Sequence, residues 1–130
     1  MLVSEFINTM TFGILQGREK KSLLQMEMSY DNFFLLPRIF CKDGFNISVQ
    51  VNRTNYCGSE NGVRTFGLDW KLVEWGFPSE HIDGKKYNAE SSPTTESVGG
   101  YVEIGLLDEL CTEHGGIDLN KTLQEAMLSE

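Results

Sequence analysis

The dipeptide Asp43-Gly44 lies between the runs Arg38-Ile39-Phe40-Cys41 and Phe45-Asn46-Ile47-Ser48-Val49-Gln50-Val51, and it constrains this chain more than any other feature. Apolar and polar residues alternate after it, and Asp-Gly tolerates the positive φ that a tight hairpin turn requires at its central positions. Pro37 biases Leu36 towards extended backbone, so the first strand starts near Arg38. A two-residue loop predicts that Lys42 pairs with Phe45, Phe40 with Ile47 and Arg38 with Val49. That register gathers Phe40, Phe45, Ile47, Val49 and Val51 on one face and Asn46, Ser48, Gln50 and Asn52 on the other. One face is then buried and the other wet.

A hairpin alone does not fold, and the rest of the chain supplies what covers it. With 130 residues, 40% of them hydrophobic, the chain can bury one core. Further strands are expected at Val63–Phe66 and at Trp70–Phe77, the latter with Val73, Trp75 and Phe77 on one side, and Pro78 ends it. Ile104, Leu107, Leu110 and Cys111 recur at helical spacing, which predicts a helix over Glu103 to His114 with Gly115 as its left-handed cap. Gly99-Gly100 reads as the turn before it. The fold class expected is α+β, a small antiparallel sheet of about three to five strands with this helix packed across one face.

Around that core the organisation is read as follows. Residues 1–34 form an N-terminal accessory segment, in which Ser4 caps a short helix that Gly13 and Gly17 interrupt. Leu24, Met26 and Met28 alternate with polar residues, a pattern that suits a strand or a helix. Residues 35–117 are the core domain. Within it, 52–62 is dense in turn formers, and 79–97 is a polar stretch expected to be a mobile loop. Residues 118–130 close the chain as a short helix capped by Asn120, with Leu123, Ala126 and Met127 as its apolar side.

The charge is unevenly placed. Of a net −8, the stretch from Glu96 to Glu130 carries −7, with Lys121 its single base. Nucleic-acid binding through a basic surface is therefore not expected, because neutralising phosphates takes clustered Lys and Arg. No apolar run reaches the roughly 20 residues of a membrane span, and Glu5 stands where a signal peptide would be basic. Three widely spaced cysteines, Cys41, Cys57 and Cys111, do not make a disulfide framework and fit a reducing compartment, so the expected location is the cytosol.

Each residue type with chemical potential has a plainer reading beside it. Cys41, Cys57, Cys111, His81 and His114 lack the close-spaced pair that a zinc site normally uses, so no metal or other cofactor is expected and the cysteines read as buried thiols. Cys57, between Tyr56 and Gly58, would be a nucleophile only with a histidine beside it. Gly99-Gly100 lacks the lysine and hydroxyl residue of a phosphate loop. Glu103, Asp108, Glu109 and Glu113, with Asp118 and Glu125, form either a solvated helix face or an acidic contact surface. Trp70, Trp75 and Tyr56 are candidate interface anchors or core residues, as are Phe33, Phe34, Phe66 and Phe77.

Leu36-Pro37-Arg38-Ile39, Cys41, Asp43-Gly44-Phe45, Ser48-Val49-Gln50, Tyr56-Cys57, Gly76-Phe77-Pro78-Ser79, Gly100-Tyr101-Val102 and His114-Gly115-Gly116 follow one another in an order that resembles a family of small bacteriophage- and prophage-encoded proteins. The chain departs from that pattern at Val51 to Arg53, at Gly58 to Glu60 and at Glu103. The resemblance implies a phage origin and carries no activity, substrate or catalytic residue. Together with the absence of a catalytic motif, it leads us to expect a non-enzymatic accessory protein, a monomer or small homo-oligomer. Such a protein binds a host protein through an acidic face, as a counter-defence or host-takeover inhibitor that mimics nucleic acid. A small enzyme using Cys57 and a self-associating structural protein are the alternatives.

Overall fold

The computed structural model describes residues 1–17, 36–51, 71–89 and 97–128. In chain order these form α1 (Val3–Gly17), β1 (Ile39–Phe40), β2 (Asn46–Gln50), β3 (Leu72–Gly76), β4 (Val98–Glu103), α2 (Ile104–Glu113) and α3 (Leu119–Leu128). The four strands make one antiparallel sheet in the order β1-β2-β3-β4. This is the expected α+β fold, with α2 across one face and a further helix, α3, near the C-terminus. The readings for residues 23–29, 52–62 and 63–66, and for Phe33 and Phe34, lie outside the described residues.

The hairpin forms where Asp43-Gly44 predicts it, but its register is one residue away from the expected one. Ile39 pairs with Ile47 and Phe40 with Asn46. The amide of Cys41 donates to Phe45 O (2.7 Å) and that of Gly44 to Cys41 O (3.0 Å), so the loop has three residues, Lys42, Asp43 and Gly44. Gly44 alone takes the left-handed conformation (φ +99°), and Asp43 Oδ1 accepts the Phe45 amide (2.9 Å), the arrangement of a three-residue turn ending in a glycine. Because side chains alternate, the slip turns Ile39 and Cys41 into the core and Phe40 to the other face. On β2 the expected alternation stands: Phe45, Ile47, Val49 and Val51 are buried.

The core lies between that sheet face and two helices. Val73 and Trp75 of β3, Val102 of β4 and Ile104, Leu107, Leu110 and Cys111 of α2 join the hairpin residues in one cluster, with Val3, Phe6 and Ile7 of α1. The helix α1 packs directly on α2. The first helix of residues 1–34 is therefore more than accessory: it contributes three fully buried side chains, and it continues through Gly13 to Gly17. A glycine costs about 1 kcal/mol in a helix interior, less than burial of Phe6 and Ile7 returns.

Two other expectations change. Gly99-Gly100 belongs to β4 and is not a turn. Trp75 pairs with Gly99, and a Cβ there would overlap the Trp75 indole, so the position requires glycine for the close approach of the ring. Phe77 does not continue β3 as an inward residue: its φ of +53° turns the chain, and the ring is half exposed. Trp70 lies outside the described residues.

The segment 79–97, expected to be mobile, is anchored over its described part. Tyr87 is buried, the Trp75 indole N–H donates to Tyr87 O (2.6 Å), Asn88 Nδ2 donates to Gly100 O (2.6 Å), and Ala89 bridges to Gly99. This strap protects the β4 edge. The opposite edge is covered by α3, where Thr122, fully buried, accepts the Phe40 amide at Oγ1 (3.0 Å) while the Asp118 amide donates to Phe40 O (2.7 Å). Asp118, and not Asn120, caps α3, its Oδ1 accepting the Lys121 amide (3.0 Å). The expected apolar side of α3 is largely exposed at Leu123 and Met127.

Candidate functional site

The acidic residues separate into three roles. Glu103 is the N-cap residue of α2 and makes no side-chain cap, leaving its carboxylate exposed. Glu109 and Glu113, one turn apart, are exposed on the side of α2 away from Leu107 and Leu110. No Lys or Arg occurs in the helix.

Asp108, expected on the same surface, is committed elsewhere. Its Oδ1 accepts the amide of Ser4 (2.9 Å) and its Oδ2 the Ser4 hydroxyl (3.0 Å). Ser4 is therefore not the cap of α1, which begins at Val3: it lies in the first turn, where amides lack helical partners, and Asp108 satisfies one of them from another helix. Glu5 Oε1 accepts the Leu2 amide (3.1 Å) at the same end. Asp118 is taken up in capping α3, and Glu125 is half-buried.

The aromatic candidates also divide. Trp75 is 1% exposed and spent on the core, so it is not an anchor for a partner. Tyr56 and Trp70 lie outside the described residues, as does Cys57. Tyr101, which the sequence does not single out, is an exposed aromatic residue close in sequence to Glu103. Between Val73↔Val102 and Trp75↔Gly99 the β3–β4 register shifts by one, so Gly100 and Tyr101 together oppose Glu74 in a bulge. Tyr101 takes φ +52° there and presents its ring outward, 42% exposed, two residues before Glu103. Nothing local in Gly-Gly-Tyr-Val signals this, because a bulge depends on how two strands meet.

At the other end of α2 the chain closes on the hairpin. His114 is the C-cap, and Gly115 and Gly116, both at positive φ, return their amides to Thr112 O and Cys111 O (3.0 and 2.8 Å). The His114 ring stacks on Phe45, with centroids 4.1 Å apart, and its Nδ1 donates to Asp43 Oδ2 (2.7 Å), while Glu80 Oε1 stands 3.5 Å from Nε2. The Phe45 amide and this histidine hold the Asp43 carboxyl below the usual carboxylate range. His81 is exposed and apart from this cluster. Among the described residues, no group of three or more His, Cys, Asp or Glu side chains is arranged so that it could hold a metal ion.

A groove of about 420 Å³ lies on the sheet face opposite the core, lined by Arg38, Gln50, Glu74 and Phe77 among others. Its Arg38 and Gln50 side chains are already engaged with the protein. Arg38 Nε donates to Asn46 Oδ1 (2.6 Å) and its Nη2 to the carbonyls of Asn46 and Phe77, while burial lowers the guanidinium from its ordinary value. The Gln50 carboxamide holds both the amide and the carbonyl of Leu36 (2.8 and 3.0 Å). The groove is a braced surface and not an open set of donors.

Among the described residues no helix is long and apolar enough to cross a membrane. Comparison with protein-family models, with curated proteins and with solved structures finds no match to this chain.

Proposed function

We propose that this is a non-enzymatic, phage-encoded accessory protein that acts in the host cytosol by binding a basic surface of a host protein. The carboxylates of Glu103, Glu109 and Glu113 make the contact, with Tyr101 as an adjoining aromatic anchor. The observation that carries this reading is their exposure on and just before a helix without a single base, within the stretch from Glu96 to Glu130 that carries −7 of the net −8. Asp108 has no part in it, being used between α1 and α2. Three exposed carboxylates raise association rate and select basic partners more than they add affinity, so binding weakens as salt rises.

The test is retention of a host protein by the tagged chain from bacterial lysate at low and high salt, compared with Glu109→Lys/Glu113→Lys. One stoichiometric protein, released by salt and lost in the variant, supports the reading. Equal retention by the variant overturns it.

A further inference from the structure

Two thiols face each other inside the core. Cys41, at the hairpin, and Cys111, in the last turn of α2, are each 2% exposed, and their side chains are in hydrogen-bond contact. The two backbones are held together around them: the Lys42 amide donates to Gly116 O (3.0 Å), the Asp43 amide to His114 O (3.2 Å), and Cys41 bridges to Ile117. The contact is therefore part of the junction between hairpin and helix and not a chance approach of two mobile side chains.

We propose that Cys41 and Cys111 are a dithiol that a peroxide converts to an intramolecular disulfide, locking the hairpin to α2. The pair is asymmetric. Contact with Cys111 lowers Cys41 from the ordinary thiol value, against its burial, whereas Cys41 and burial push Cys111 up. Of the two, Cys41 is therefore the sulfur that gives up its proton more readily. The Cys41 thiolate attacks one oxygen of hydrogen peroxide and the O–O bond breaks, leaving Cys41 as a sulfenic acid and releasing hydroxide, which takes a proton to become water. The Cys111 sulfur then displaces the sulfenic oxygen, and the Cys111 proton leaves with it as a second water. Two thiols and one peroxide give one disulfide and two waters; the sulfurs lose the two electrons that the peroxide oxygens gain.

Forming the bond brings the sulfurs from hydrogen-bond contact to the bond length of about 2.05 Å. Closing a loop of this length restricts the unfolded chain, and the oxidised protein gains on the order of 10 °C in melting temperature.

The experiment uses the full chain carrying Cys57→Ser, so that only this pair can react. The native protein is treated with hydrogen peroxide, blocked with N-ethylmaleimide, and its intact mass, non-reducing peptide map and melting curve are recorded. The expected result is the loss of both free thiols with a peptide joining Cys41 to Cys111, and a higher melting temperature reversed by dithiothreitol. Adding Cys111→Ser should leave Cys41 to overoxidise to sulfinic acid with no cross-link. Both thiols still titrating after peroxide, overoxidation of the unmutated pair without a joined peptide, or cross-linking only in denaturant overturns the proposal.

Discussion

The indole of Trp75 occupies the space that a side chain at Gly99 would fill, and its N–H reaches past that glycine to the carbonyl of Tyr87. One contact thus joins β3, β4 and the strap over the sheet edge. Gly99→Ala forces the ring or the strand to move and should destabilise the fold by about 1 to 3 kcal/mol, as overpacking does. Chemical denaturation measures it, and near-UV circular dichroism should report the displaced indole. An unchanged midpoint would show that the Trp75 ring yields without cost.

Asp108 and Ser4 should behave as a coupled pair. Asp108→Ala exposes the Ser4 amide at the start of α1 and should cost about 1 to 2 kcal/mol, and Ser4→Ala less. In a double-mutant cycle the two effects should fall short of adding, with a coupling of about 0.5 to 1 kcal/mol. Asp108→Ala should leave partner binding unaltered, whereas Glu109→Lys/Glu113→Lys removes binding with little effect on stability.

Thr122→Val keeps the volume of a fully buried side chain and removes the acceptor for the Phe40 amide. Stability should fall by about 1 to 3 kcal/mol. Because the β1 edge is then less well closed, aggregation on heating should rise, which light scattering during a melt would follow.

Asp43 makes stability depend on acid. Its carboxyl titrates lower in the folded chain than the ordinary value of about 3.9, so its contribution is complete above that value and is lost as pH falls through the lower, folded one. The urea midpoint of the wild type should therefore drop more steeply below about pH 4 than that of Asp43→Asn, which keeps an acceptor for the Phe45 amide. Parallel curves would mean that the Phe45 amide and His114 do not favour the ionised carboxyl.

Gly105 stands in the first turn of α2, where an added Cβ would have no atom within 4 Å beyond its own helix. Gly105→Ala should stabilise the protein by about 0.5 to 1 kcal/mol, read from the thermal midpoint.

Local signals carried a large part of this fold. The alternation through Phe45, Ile47, Val49 and Val51 marked a half-buried strand, the spacing of Ile104, Leu107, Leu110 and Cys111 marked α2, and Gly115 marked its end. Each depends on a backbone period or on one residue's φ, and both are properties of a short stretch. The exposure of Glu109 and Glu113 followed from the same helical period.

What the tertiary structure alone decided are relations between distant stretches. Asp43-Gly44 announces a turn without stating whether its loop holds two residues or three, and that one residue determines whether Phe40 or Ile39 and Cys41 enter the core. Asp108 is indistinguishable from Glu109 in sequence, and only the start of α1, 104 residues away, withdraws it from the surface. The Gly99 requirement arises from the Trp75 ring, the exposure of Tyr101 from a bulge between two strands, and the pairing of Cys41 with Cys111 from the docking of α2 on the hairpin. Periodicity tells which way a side chain points along its own element; the neighbour it meets there is set by how the elements pack.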